Sequence, residues 1–180
     1  GTVLVHYGAF GEGGWVAAYD AATLEPRWSR DQPGTVDAAV DCTGLPCTRT
    51  RREVTVVDPL TGRGLWDLPS SRPVDLVAFG ADHVLWNHDG AVRMMLDRRT
   101  GVPGLFLTGW TAAEPARGGG RYLLSRATAG GDTELALLWP GAPKELILGE
   151  IPGAVTGCRL DVAYVACRAE GRVEVYRYPG

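Results

Sequence analysis

The sequence predicts an all-β protein assembled from repeated four-stranded antiparallel sheets. One phrase, an apolar strand ending at Asp and continuing to Thr, recurs at Asp20, Asp58 and Asp97, with spacings of 38 and 39 residues. The longest apolar run is six residues, and no window combines a helical period with a capping residue, so no long helix is expected. A period of roughly 40 residues is typical of one propeller blade. The predicted fold is therefore a β-propeller with about four to five blades in this chain.

The repeats predict where the strands lie. The phrases are Val16–Thr23, Val54–Gly62 and Arg93–Gly101, followed by a weaker copy at Leu135–Gly141, with Trp139 in place of Asp, and a fifth at Val173–Arg177. A second strand is predicted before each phrase, at Val3–His6, Cys47–Arg49, His83–Asn87, Tyr122–Arg126 and Ala163–Arg168. Inner strands are predicted at Val36–Val40, Val74–Phe79 and Val155–Leu160, and an inter-strand loop at Thr111–Gly120. The blade repeats are expected at 1–32, 33–70, 71–110, 111–152 and 153–180, within a single domain.

Each phrase carries the residues of a tight turn. The Asp carboxylate can accept backbone N–H bonds two residues on, Thr provides a second cap, and Gly adopts positive φ. The structural turn residues are predicted to be Asp20, Thr23, Asp58, Thr61, Gly62, Asp97, Thr100 and Gly101. Trp28, Trp66 and Leu105 stand eight residues after the three aspartates, which predicts large side chains packed between neighbouring sheets.

Four cysteines form two close pairs, Cys42 with Cys47 and Cys158 with Cys167. Neither pair has the two-residue gap of a zinc or redox motif. Reflection about a hairpin turn would place the two members of each pair opposite each other, on the first two strands of their blade. The sequence therefore predicts two local disulfides and an oxidising, extracytoplasmic compartment. Four buried free thiols are the alternative.

Charge and hydropathy exclude several classes of partner. The chain has 18 Lys+Arg against 21 Asp+Glu, a net charge of −3, which is too close to neutral to favour nucleic acid or acidic lipid. No apolar run approaches the roughly 20 residues of a membrane span. We therefore expect no nucleic-acid partner and no membrane span in this chain.

Other candidate sites have simpler structural explanations. His83 and His88, flanked by Asp82 and Asp89, lie five apart in a predicted strand, so their rings should not converge on a metal, and a solvated hairpin end is expected. His6 is expected to be a satisfied core or edge residue. The remaining candidates are the glycines 118–120, expected in a flexible loop rather than a phosphate site, the basic run Arg49, Arg51 and Arg52 beside Glu53, expected at an exposed strand edge, and Trp15, Trp86 and Trp110, expected in the interior.

The phrase at 54–66, Val-Thr-Val-Val-Asp-Pro-Leu-Thr-Gly-Arg-Gly-Leu-Trp, resembles the repeat of the pyrroloquinoline-quinone-like (quinoprotein dehydrogenase-like) β-propellers. That family also includes the outer-membrane assembly lipoprotein scaffold. The resemblance covers nearly the whole chain and is strongest at 54–66, good at 16–28 and 93–105, and weak after 130. Family members usually close a ring of seven or eight blades, so the resemblance implies that this chain supplies about half of one.

The resemblance implies two functions from different classes. Some members oxidise alcohols or sugars with a bound quinone, using an Asp base, Ca²⁺ and, in alcohol dehydrogenases, two adjacent cysteines. The sequence has no adjacent cysteines, and its only amide side chains are Gln32 and Asn87. We therefore expect no cofactor and a non-catalytic extracytoplasmic scaffold that binds a protein or peptide through blade loops. A dehydrogenase fragment and a receptor-kinase sensor domain are the alternatives. The chain is also expected to be part of a longer propeller, completed by a missing N-terminal half or by self-association.

Overall fold

The described residues form strands joined by turns. The structure is a computed structural model that describes residues 1–7, 14–32, 35–42, 44–50, 52–69, 74–115, 120–161, 163–169 and 171–177. No helix within these ranges is long and apolar enough to cross a membrane. The strands are β1 (Thr2–Tyr7), β2 (Gly14–Asp20), β3 (Pro26–Gln32), β4 (Thr35–Asp41), β5 (Pro46–Thr50), β6 (Glu53–Val57), β7 (Gly64–Pro69), β8 (Val74–Phe79), β9 (His83–His88), β10 (Ala91–Asp97), β11 (Pro103–Phe106), β12 (Ala112–Pro115), β13 (Tyr122–Ala127), β14 (Thr133–Leu138), β15 (Leu146–Ile151), β16 (Val155–Leu160), β17 (Tyr164–Ala169) and β18 (Arg172–Arg177).

The strands of the described residues form five small sheets. Within each sheet, strands that are consecutive in sequence are hydrogen-bonded to each other. Sheet 1 contains β1–β3, sheet 2 contains β4–β7, sheet 3 contains β8–β11, sheet 4 contains β12–β15 and sheet 5 contains β16–β18. The registers described are antiparallel throughout. The prediction of an all-β fold of antiparallel sheets is thereby confirmed. Each sheet takes all its strands from one predicted blade repeat, and sheets 1 and 5 have three strands rather than four. The single-domain boundaries stay a prediction.

Contacts divide the chain into two compact units. The first comprises Gly1–Ala78 with Arg98–Val102, and the second comprises Phe79–Asp97 with Pro103–Gly180. Sheets 1 and 2 therefore belong to the first unit, and sheets 4 and 5 to the second.

The middle strands of sheet 4 are buried on both faces. Consecutive residues are buried at Tyr122–Leu124 and again at Leu135–Leu138. Successive strand residues point to opposite faces, so a continuous buried run means that both faces of the strand are covered. On one face, Leu123, Leu135 and Leu137 pack against a buried group from sheet 5, which comprises Cys158, Leu160, Val165, Cys167 and Ala169. Sheet 5 thus covers one face of sheet 4.

The predicted loop at Thr111–Gly120 is partly wrong. Ala112–Pro115 forms β12, the first strand of sheet 4, and pairs with β13 from Ala112 opposite Ser125 to Pro115 opposite Tyr122. The sequence Ala-Ala-Glu-Pro has no apolar alternation and little strand propensity, so the pattern alone does not indicate a strand. It becomes one because β13 offers a row of backbone groups to pair with. Residues 116–119, with two of the three predicted loop glycines, lie outside the described ranges.

Two contacts of tryptophan with glycine join successive segments of the first unit. Trp28 and Trp66 are each the third residue of the last strand of their sheet. A Cβ on Gly62 would overlap the Trp28 ring, and a Cβ on Gly101 would lie 2.6 Å from the Trp66 ring. The indole N–H of Trp28 donates to the Pro59 carbonyl at 3.1 Å, and that of Trp66 donates to the Arg98 carbonyl at 3.0 Å. We call these two pairs the Trp–Gly contacts.

Candidate functional site

The Asp turns of sheets 1 and 2 have the same hydrogen bonds. Asp20 Oδ1 accepts from the N–H groups of Ala22 (2.8 Å) and Thr23 (3.1 Å). Asp58 Oδ1 accepts from the N–H groups of Leu60 (2.7 Å) and Thr61 (3.0 Å). These bonds arise because the strand ends at Asp and the chain turns back at once.

The threonines cap all three turns in the same way. The Oγ1 atoms of Thr23, Thr61 and Thr100 accept from the backbone N–H two residues on, at 3.3, 3.4 and 3.4 Å. The next residue has a left-handed backbone in each turn, at Leu24 (φ 58°), Gly62 (φ 69°) and Gly101 (φ 68°). In the weaker copy, Leu135–Gly141, the backbone hydrogen bond that closes the turn spans one residue fewer, since the Ala142 N–H donates to the Trp139 carbonyl.

Leu24 is the exception among the left-handed residues. A left-handed conformation costs an L-residue about 1–2 kcal/mol, and Leu24 is exposed, so it buries little in return. We expect Leu24→Gly to raise the free energy of unfolding by up to about 1 kcal/mol, after the entropy cost of glycine in the unfolded chain. The urea midpoint measures it. The matched control is Leu60→Gly in the sister turn, where the exposed leucine does not have positive φ. Loss of stability in both variants would contradict the strain at Leu24.

The hydrogen bonds of the Asp turns make the free energy of unfolding depend on pH. The N–H of Ala22, the Arg27 guanidinium and the N–H of Thr23 together lower the pKa of Asp20 to about 2. The N–H groups of Leu60 and Thr61 lower the pKa of Asp58 as well.

Because these folded-state pKa values lie below the ordinary value of about 4, the carboxylates stabilise the fold above that pH. This stabilisation is lost as the pH falls towards 2. We expect the urea midpoint to fall between pH 5 and pH 2, and to fall less in Asp20→Asn, which keeps the turn acceptor without the charge. An identical pH dependence in the variant would refute this assignment.

Both predicted disulfides are confirmed. Cys42 bonds to Cys47, and Cys158 bonds to Cys167. The expected direct opposition is wrong for the first pair. Cys47 stands opposite Val40, while Cys42 donates its N–H to the Leu45 carbonyl beyond the strand end. The turn is two residues shorter than predicted, because Cys42 meets Leu45 rather than Cys47 across it. The disulfide therefore joins two residues that are not directly opposite each other.

A cavity of about 450 Å³ opens beside that disulfide, within the first unit. It is lined by Gly1, Thr2, Leu4, Gly44, Leu45, Pro46 and Pro59. The wall residues come from the start of β1, the turn between β4 and β5, and the Asp58 turn. The volume lies within the range of roughly 300–1,000 Å³ of ligand sites. We call it the proline cavity.

One disulfide and several hydrogen bonds hold the walls of the proline cavity in place. The Cys42–Cys47 disulfide spans the turn that carries Gly44, Leu45 and Pro46, and Trp28 holds the Pro59 carbonyl. At the start of β1, Arg27 donates to Thr2 Oγ1 at 2.6 Å, and the Gly1 carbonyl accepts from the Ala21 N–H. A cavity with fixed walls loses little entropy when a ligand enters.

The two histidines of β9 do not converge. His83 faces Gly141, whereas the His88 ring lies 6.0 Å from that of Trp86. Within the described ranges, no three His, Cys, Asp or Glu side chains are placed to hold a metal ion. At the hairpin end Asp82 and Asp89 are exposed, and His88 Nε2 lies 3.6 Å from Asp89 Oδ2. The two rings are half-buried, and their Nδ1 atoms have no hydrogen-bond partner among the described residues. The reason is that β9 is an inner strand of sheet 3.

Other candidates divide between core and surface. Trp110 is buried, with the Arg126 guanidinium 4.4 Å from its ring centroid and its N–H donated to Glu145. Trp15 is instead partly exposed, and His6 lies on edge strand β1 with its Nε2 buried and unpartnered within the described part of the chain. Of the basic run, Arg52 and Glu53 are exposed but Arg49 is half-buried in inner strand β5, and Arg51 lies outside the described ranges. The proline cavity itself had no signal in the sequence beyond Pro46 and Pro59.

No protein-family model matches this chain, and no curated protein matches it. Solved structures do. A crystal structure of a eukaryotic initiation factor matches with a TM-score of 0.63 and 11% identity, covering 97% of this chain and 48% of that one. Hsv2p of Kluyveromyces lactis matches at 0.52 and 12%, covering 97% and 56%. The computationally designed Ika8 protein matches at 0.51 and 18%, covering 96% and 57%.

These likenesses, at such low identity, show the fold alone. The neighbours include β-propellers such as Hsv2, and the sheets of this chain are those of a partial β-propeller. The chain spans about half the length of the three solved chains described.

Proposed function

We propose that this chain is a non-catalytic, extracytoplasmic β-propeller scaffold that binds a peptide segment of a partner protein in the proline cavity. The carrying observation is that cavity, whose walls include two turns fixed by a disulfide and by an indole hydrogen bond, together with the start of β1. Leu4, Leu45, Pro46 and Pro59 supply apolar surface in a lining that is also partly polar. An apolar side chain of an extended peptide therefore fits it best.

The location and the family belong to the same proposal. The two disulfides support an oxidising compartment, because such bonds persist outside the cytosol. The repeated Asp, Thr and Trp positions support membership of the pyrroloquinoline-quinone-like propellers, in the branch that acts as scaffolds. We propose accordingly that added pyrroloquinoline quinone and Ca²⁺ produce no dye-linked oxidation of alcohols or sugars. Turnover under those conditions would favour the dehydrogenase.

The test of peptide binding begins with a displayed library of random peptides selected on the oxidised protein. Titration calorimetry then compares a selected peptide on the wild type and on Leu45→Arg, which fills the cavity with a charged side chain. We expect Leu45→Arg to weaken binding at least tenfold. Leu146→Arg is the control, at an exposed leucine of β15 in the second unit, and it should leave the affinity within twofold.

The disulfides provide a second matched pair of variants. Cys42→Ser with Cys47→Ser should weaken the peptide, because the cavity turn loses its clamp, whereas Cys158→Ser with Cys167→Ser should not. Equal affinities in all variants, or a library that yields no binder, would count against the proline cavity as the binding site.

A further inference from the structure

Sheet 1 presents a face that carries several exposed apolar side chains. Along β1, exposed and half-buried residues alternate, and the exposed ones are Val3, Val5 and Tyr7. Tyr7 pairs across the sheet with Trp15, which is also exposed, and Trp15 pairs with the exposed Asp31. These five residues define the outer face of sheet 1. The opposite face, with Leu4 and Trp28, meets sheet 2.

Sheet 5 presents a matching face. Val173 and Val175 of β18 are 66% and 62% exposed, and Tyr164 of β17 is 48% exposed. Arg168 pairs with Val173 and Arg177 pairs with Tyr164, and both arginines are exposed. These five residues define the outer face of sheet 5. The opposite face, with Val165 and Cys167, is buried against sheet 4. Contiguous exposed apolar residues of this kind mark interaction surfaces.

The two outer faces are complementary in direction. Sheet 1 turns its covered face to the sheet that follows it, whereas sheet 5 turns its covered face to the sheet that precedes it. The outer face of sheet 5 is therefore on the side where a following sheet would stack, and the outer face of sheet 1 is on the side where a preceding sheet would stack. A contact between them would repeat the stacking found inside each unit.

The faces also complement each other in charge. The outer face of sheet 1 carries the carboxylate of Asp31, and the outer face of sheet 5 carries the guanidinium groups of Arg168 and Arg177. Opposite charges at the border of an apolar contact favour this pairing over either face with itself, since two faces of sheet 5 would oppose their arginines.

We propose that two copies of this chain associate head to tail, with the outer face of sheet 5 of one copy stacked on the outer face of sheet 1 of the other. Such a contact joins two different surfaces, so it closes into a ring or extends into a chain of copies. The proposal is independent of the proline cavity.

Light scattering after size-exclusion chromatography tests it with two variants. Val3→Asp with Val5→Asp places charges on the outer face of sheet 1, and Val173→Asp with Val175→Asp does the same on sheet 5. All four positions are exposed, so both variants should keep the strand spectrum of the wild type. We expect the wild type to have a multiple of the 19.2 kDa mass, and each variant alone to have the mass of one chain.

Mixing the two variants should restore a species of twice that mass, because each supplies the face that the other lacks. Leu60→Asp, on an exposed turn leucine outside both faces, should associate like the wild type. A wild-type mass of one chain at 100 μM, on the order of the concentration at which weak contacts form, would overturn the proposal and leave a different protein segment as the cover of these faces. Association that survives in either variant alone would also overturn it.

Discussion

Replacing Trp66 by alanine is expected to lower the free energy of unfolding by about 3–5 kcal/mol, the usual cost of removing a buried aromatic side chain. The Trp66 side chain is 9% exposed, and its indole N–H bond to the Arg98 carbonyl would be lost with it. Urea unfolding at neutral pH measures the change. Trp15→Ala is the control, because Trp15 is 36% exposed against 9% for Trp66, and it should cost clearly less than Trp66→Ala in the single-chain form. Equal losses would contradict the Trp–Gly contact.

A double-mutant cycle sharpens this test. Gly101→Ala should also destabilise, because alanine at φ 68° is strained and its Cβ would lie 2.6 Å from the Trp66 ring. In the Trp66→Ala background the overlap with the ring is removed, but the Cβ of residue 66 still lies 2.8 Å from the added methyl group. The cost of Gly101→Ala should therefore fall, yet stay above the backbone strain of about 1–2 kcal/mol. Additive losses would show that the ring and the glycine do not interact.

Removing the Cys158–Cys167 disulfide, with both residues changed to alanine, is expected to cost about 3 kcal/mol. The chain-entropy model gives about 2–3 kcal/mol for loops of this size, with the longer loop costing more. Cys158 and Cys167 are also part of the buried group between sheets 4 and 5, so their sulfur atoms contribute packing as well. The matched variant, Cys42→Ala with Cys47→Ala, closes a shorter loop and should cost about 2 kcal/mol. A larger loss from the Cys42–Cys47 pair would contradict this account.

The fold could be predicted from the sequence because residues close together in the chain specify each repeat. Asp58, Thr61 and Gly62 specify a turn by bonds within five residues, and the same pattern at Asp20 gives the same bonds. Trp66, the eighth residue after Asp58, packs on the next turn as the repeated position predicts. Such local rules depend little on the rest of the chain.

What the sequence did not reveal depends on contacts between distant segments. β12 is a strand only because β13 pairs with it. The half-buried state of His88 follows from the position of β9 inside its sheet, which a five-residue spacing cannot indicate. The proline cavity draws on residues from three separate segments, and its residues are ordinary Gly, Leu and Pro. A cavity of this kind has no sequence motif, so only coordinates can locate it.

Sheet 2 holds both halves of the Trp–Gly contacts. Its Gly62 receives Trp28 from the sheet before it, and its own Trp66 covers Gly101 of the following turn. A gene duplication that inserted a second copy of residues 33–70 after the first would therefore create one new contact, Trp66 of the first copy on the glycine equivalent to Gly62 in the second. Both partners would already be present, and no compensating substitution would be needed. An array built from such self-matching units can lengthen by whole repeats without passing through an unstable intermediate length.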